Sequence, residues 1–125
     1  MDKIYMNSND GVNKVFLLGD IVNEPEWCKI DGEKMLCFKL VTPESIKKNG
    51  KPHEHLEYHN IKLPVDILEN GFHLRKGDHV YLQGKIQTKK LFENNVKLYR
   101  SEILATSIEQ LKTASKEEAS SILQR

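Results

Sequence analysis

The chain has 125 residues, enough for one domain with one modest core. Its 19 Lys and Arg stand against 18 Asp and Glu, a net charge of +1, so no global field draws a polyanion and any basic site has to be local. No apolar run approaches the roughly 20 residues of a membrane span and the start lacks a signal-peptide core, so a cytoplasmic location without membrane contact is expected.

In chain order, residues 1–10 are polar and read as a loose or pairing N-terminal arm. Residues 12–18 predict a first strand, ended by Gly19-Asp20, and Asn23-Glu24-Pro25 is a break. Residues 27–30 and 35–41 flank Asp31-Gly32, a strong hairpin signal. Leu36, Phe38 and Leu40 then face the core, with Cys37, Lys39 and Val41 on the other side. Trp27 reads as core or interface rather than as an exposed platform. Cys28 and Cys37 lack metal-ligand spacing, so buried free thiols are expected rather than a disulfide.

Residues 42–55 are polar and rich in turn formers, which predicts a long loop with a β-turn at Asn49-Gly50. Residues 56–63 predict the third strand, with Tyr58, Asn60 and Lys62 on one face and Glu57, His59, Ile61 and Leu63 on the other. Pro64 ends it, because proline cannot serve a central ladder. Residues 65–74, with Val65, Ile67, Leu68, Phe72 and Leu74, predict a short helix despite Gly71.

Residues 74–106 predict a long two-stranded hairpin. Val80, Leu82, Gly84 and Ile86 alternate with Tyr81, Gln83, Lys85 and Gln87, and the second arm alternates Val96 and Leu98 with Lys97 and Tyr99 before running through Ile103 and Leu104. The tip is Lys89-Lys90-Leu91-Phe92-Glu93-Asn94-Asn95, whose Asn pair takes positive φ cheaply. From Lys85 to Arg100 five cations (Lys85, Lys89, Lys90, Lys97, Arg100) face one anion, Glu93. Such a finger has the parts needed to touch a polyanion. Residues 107–125 change character: Ser115-Lys116-Glu117-Glu118 is a capping box for a short helix through Leu123, and Ile108, Leu111, Ser115, Ala119 and Ile122 share a rough stripe. That helix reads as an appendage docked on the domain or as a subunit contact.

Three strands, a short helix and two further strands predict an all-β, five-stranded oligonucleotide/oligosaccharide-binding (OB) barrel with a short C-terminal helical extension. The expected division is an arm over residues 1–10, the barrel over 11–111 and the extension over 112–125.

Three stretches carry a resemblance. GVNKVFLLG at residues 11–19 followed by Glu24-Pro25-Glu26, Glu57-Tyr58-His59-Asn60, and LRKGDHVYLQGKI at residues 74–86 resemble, in order, the bacterial single-stranded DNA-binding proteins. The resemblance implies an OB-fold that assembles as a homotetramer or, at least, a dimer, wraps single-stranded DNA in replication, recombination or repair, and needs neither catalytic centre nor cofactor. It puts Ile46, Tyr58, Pro64 and Leu91 at the family's usual stacking positions, where only Tyr58 is aromatic; Phe92 stands one residue beyond Leu91. His59 falls at an interface position, with Tyr81 as a second interface candidate, and Asn60 replaces a usual arginine. The expected DNA contacts are Lys14, Lys48, Tyr58, Asn60, Lys62, Lys76, Lys89, Lys90, Leu91 and Phe92. Family members tend to end in an acidic tail that recruits partners, and here the sequence stops at Ile122-Leu123-Gln124-Arg125, so no tail-mediated recruitment is expected.

Two other readings stay open from sequence: a divergent paralogue using the barrel for protein contacts, as in a primosome-like or mobile-element assembly, and an enzyme acting on nucleic acid. The second is weak, because no paired carboxylates or nucleophile set share a surface. His53, His55 and His59 do not read as a metal site.

Overall fold

The computed structural model describes residues 10–68 and 73–111. Six strands, β1 (Val15–Ile21), β2 (Glu26–Ile30), β3 (Glu33–Lys48), β4 (Lys51–Pro64), β5 (His79–Glu93) and β6 (Val96–Leu111), form one sheet in the order β1-β5-β6-β4-β3-β2. Pairing of Asp20 and Ile21 with Val41 and Leu40 joins β1 back to β3 and closes a five-stranded barrel. β2 lies outside the ring as an extra strand on β3. The single parallel contact, Ile61 with Ile103 and Lys62 with Leu104, links β4 to β6. The OB-barrel expectation therefore holds.

Every hairpin turns on two residues with positive φ: Asp31 (50°) and Gly32 (81°), Asn49 (54°) and Gly50 (77°), Asn94 (50°) and Asn95 (64°). That sign pattern belongs to type I′ turns, whose twist matches that of paired strands. Inside the ring, Leu36, Phe38, Leu40, Ile61, Leu63, Val80, Leu82, Ile103 and Ala105 form one core with Ile21 and Leu74. The side chains of this core alternate with outward ones, as period 2 requires.

Four expectations about the elements change. Residues 42–55 are not a loop: β3 and β4 stay paired from Thr42↔Glu57 out to Lys48↔Lys51, a projecting arm exposed along most of both faces. An arm that buries neither face has no apolar alternation, and Pro43 and Pro52 each remove a ladder donor, so the sequence imitates a loop. The first strand runs through Gly19 to Ile21. Gly19 is there for close approach rather than termination, since a Cβ on it would lie 2.1 Å from the Val41 carbonyl oxygen. The helix expected after Pro64 is one 3-10 turn, Val65–Ile67, after which Leu68 is already extended. Residues 107–111 continue β6 as strand, reached through a register shift at Gln83/Gly84. There Thr106 is the extra residue, and its hydroxyl donates to the Gln83 carbonyl at 3.2 Å.

Trp27 is not core. Half exposed on edge strand β2, its ring carries the Lys34 ammonium 4.4 Å from its centroid. The N-terminal arm but for Asp10, residues 69–72 of the expected helix, and the C-terminal helix lie outside the described residues. No helix among the described residues is long and apolar enough to cross a membrane.

Candidate nucleic-acid interface

Register puts a consistent set of side chains on the outside of the barrel. Across β3 and β4, Cys37 lies opposite Lys62, Lys39 opposite Asn60, and Val41 opposite Tyr58. Across β5 and β6, Gln87 lies opposite Glu102, Lys89 opposite Arg100, and Leu91 opposite Leu98. The parallel contact of β4 with β6 aligns the two sets. Between them opens a groove of about 340 Å³, walled by β2 through Glu26, Cys28 and Ile30, and by the β5–β6 finger through Lys89 and Arg100.

The floor holds a buried ion pair. Lys62 Nζ meets Glu102 Oε2, both residues at most 9% exposed. Burial lowers the Lys62 pKa, and the neighbouring Lys89 ammonium lowers it further. Beside them the Cys37 thiol is pushed up to about 12 by burial and by the adjoining Cys28 thiol, so it stays neutral. Both cysteines are free thiols, though half-buried rather than buried as the sequence suggested. Around this floor Lys39, Lys89 and Arg100 pair with no carboxylate among the described residues, and Tyr58 continues the same face with 55% of its surface exposed. The groove thus offers cations able to meet phosphates, an amide for base edges and one aromatic face for stacking.

Of the residues singled out from sequence, the fold brings together Tyr58, Asn60, Lys62, Lys89 and Leu91. Lys90 and Phe92 point to the opposite face of the finger, opposite Tyr99 and Lys97 respectively. Lys48 sits at the arm tip beside Asn49-Gly50, and Ile46 lies on the arm face away from Tyr58, paired with His53. Pro64 pairs with Met35 where β4 ends. Lys14 precedes β1, its ammonium 5.3 Å from the Phe16 ring centroid, and Lys76 belongs to the turn whose Gly77 N–H donates to the Ile21 carbonyl. The DNA contacts expected from sequence did not include Lys39, Arg100, Glu102 or the two thiols, although Arg100 was counted in the finger's basic excess. Lys39 and Arg100 were legible in principle, because a two-residue turn fixes every pair at equal distance from it.

The interface candidates have different surroundings. His59 is half-buried at the barrel rim, where Nε2 and the Thr42 hydroxyl share a hydrogen bond of 2.9 Å; burial lowers its pKa, only partly opposed by Glu57. Tyr81 lies outside the barrel opposite Leu18 and takes a hydrogen bond from the Gln83 amide. With Phe16 and Leu18, both at least half exposed, it forms an apolar outer face on β1 and β5. His55 pairs with Glu57 at 2.8 Å, and no three His, Cys, Asp or Glu among the described residues cluster as metal ligands.

Comparison with known proteins agrees with the barrel fold. The sequence pattern of the Single-strand binding protein family matches residues 12–111. Single-stranded DNA-binding protein 1 of Chlorobaculum tepidum is 36% identical over 109 residues, covering 81% of this chain and 65% of the relative, so the chain spans about two thirds of that relative's length at most. A Plasmodium falciparum SSB solved in complex with ssDNA superposes with a TM-score of 0.73 at 28% identity, covering 86% of this chain and all of that one. A deletion mutant of the single-stranded DNA binding protein from Thermus aquaticus has the same fold, with a TM-score of 0.69 at 24% identity over 82% of this chain and 51% of that one.

Proposed function

The chain belongs to the single-strand binding protein family, and from that premise we propose that it binds single-stranded DNA without sequence preference, in replication, recombination or repair. The observation that carries this reading is the outer face of β3, β4, β5 and β6, where Lys39, Asn60, Tyr58, Lys89 and Arg100 share one side of the sheet. The backbone of a single strand follows the cations at the groove rim, its bases turn toward Tyr58 and the Leu91–Leu98 pair, and Asn60 serves base edges. Lys62, its ammonium engaged by Glu102, forms the groove floor and reaches a phosphate only where the strand competes with that carboxylate. Lys14, Lys48 and Lys76 extend the path beyond the groove.

With one aromatic where the family stacks on several, phosphate contacts take a larger share of the affinity. Six such contacts give a log–log salt slope near −4, from about 0.7 per phosphate on single strands. A fluorescent oligo-dT titrated at several salt concentrations measures that slope. Lys89→Ala with Arg100→Ala is expected to flatten it by about 1.4, and a flat wild-type slope, or no binding at low salt, rejects the reading in favour of a protein-contact role.

The oligomer belongs to the same proposal. The exposed apolar face of Phe16, Leu18 and Tyr81 supports self-association into a homotetramer of two-fold related dimers. Light scattering that finds a monomer at every concentration overturns it.

A further inference from the structure

The β5–β6 finger has two chemically distinct faces, and only one belongs to the groove. Lys89, Leu91, Leu98 and Arg100 face the groove side. On the reverse, Lys90 stands opposite Tyr99 and Phe92 opposite Lys97, so two aromatics and two lysines alternate in a checkerboard. Phe92 is 71% exposed and Tyr99 63%. Nothing in the domain core uses them.

We propose that this reverse face is a second platform for single-stranded nucleic acid, on which bases stack against Phe92 and Tyr99 while phosphates bridge Lys90 and Lys97. The proposal rests on the single-strand reading above and extends it: one strand leaves the groove, passes the Asn94-Asn95 turn and continues along the back of the finger. Two observations point to an anionic, base-bearing occupant. Lys97 Nζ lies 5.6 Å from the Tyr99 ring centroid, which holds a cation directly beside a stacking surface. Lys90 and Lys97 stand diagonally across the same face, and the Lys97 side chain lowers the Lys90 pKa. Two like charges on one face are relieved by a phosphate bridging them. A second copy of the chain docking here by symmetry would instead bury lysine against lysine, and an apolar protein ligand would strand both charges.

The finger reverse lies outside the groove, so strand length separates the two surfaces. A dT oligonucleotide of about 8 nucleotides falls within the 4–16 nucleotides that one OB fold covers. It fills the groove, whereas poly-dT reaches both faces. Phe92→Ser with Tyr99→Ser alters only exposed positions, and Lys90→Gln with Lys97→Gln removes the charges alone. Each pair is expected to weaken poly-dT binding at least about 10-fold and to shorten the occluded site, while changing affinity for the short oligonucleotide less than about 2-fold. Equal losses on both lengths would assign these residues to the groove and overturn the proposal, as would no loss on either. Wild-type protein that binds neither length removes the single-strand reading itself, a result distinct from the other two.

Discussion

Lys62 and Glu102 join β4 to β6 through an ion pair whose side chains are only 11% and 7% exposed, at the floor of a groove that Lys39, Lys89 and Arg100 also line. Desolvating two charges is costly unless each keeps the other, so the pair is a constraint on both the barrel seam and the groove's potential. Glu102→Gln leaves a buried ammonium without its anion, and the expected loss of stability is about 3 kcal/mol by urea denaturation. The same substitution frees Lys62 toward DNA and steepens the salt slope by about 0.7. A destabilised variant with an unchanged slope would restrict Lys62 to the seam.

Close backbone approach makes two glycines irreplaceable. A Cβ on Gly84 would lie 2.4 Å from the Leu104 carbonyl oxygen at the bulge, and one on Gly19 would meet Val41 at the β1–β3 closure. Because the obstacle is backbone, the strands themselves must part. Gly84→Ala and Gly19→Ala are each expected to cost about 1–3 kcal/mol, the range of overpacked cores. Thermal melts unchanged by both substitutions would show that the ring closes less tightly.

The barrel was legible because its strands bury one face: Leu36, Phe38 and Leu40, then Ile61 and Leu63, then Val80 and Leu82 alternate in sequence as they do in space. The turns were legible too, since Asp31-Gly32, Asn49-Gly50 and Asn94-Asn95 are residues that accept positive φ. The arm of residues 42–55 was not, as it buries nothing and contains Pro43 and Pro52. Within the site, Tyr58, Asn60 and Lys62 were assigned to one face by parity alone. Phe92 and Leu91 were placed together because adjacent residues look interchangeable in a loop, whereas a strand sends them to opposite sides. Glu102 escaped notice because the β4–β6 contact is non-local, and no short-range pattern announces it.

His59 makes stability depend on pH. Burial holds its folded pKa below the usual value of 6.5, so the unfolded chain takes up the proton first. Its contribution is fully present above about pH 6.5 and is lost as the pH falls below that value toward the lowered folded pKa. His59→Gln is expected to flatten the urea-derived stability curve between about pH 5 and 7. Parallel curves for the two proteins would mean the imidazole is free to charge in place.

Cys37 should be nearly inert to alkylation. With its thiol pushed up to about 12 from 9.0 by burial and by Cys28, almost no thiolate exists near neutral pH. Iodoacetamide at pH 8, followed by mass spectrometry, is expected to modify native Cys37 at least about tenfold more slowly than the urea-unfolded chain. Equal rates would place the thiol in a polar, open setting.

Tyr58 separates stacking from charge. It stands on the groove side of β4 opposite Val41, more than half exposed, with Asn60 next along the same face. An exposed ring adds little to the core, so Tyr58→Ala should leave urea stability within about 0.5 kcal/mol of wild type. On DNA the same change removes the one aromatic the groove presents through β4, and the expected loss is about 1–3 kcal/mol with the salt slope unaltered. Tyr58→Phe keeps the π-face and drops only the hydroxyl, so it should bind like wild type. Titrating oligo-dT with all three proteins distinguishes the causes. If Phe weakens binding as much as Ala, the hydroxyl makes the contact and the ring does not stack. A salt slope that falls with Tyr58→Ala would mean the strand shifts off the cations, leaving the ring as a guide for the phosphate path.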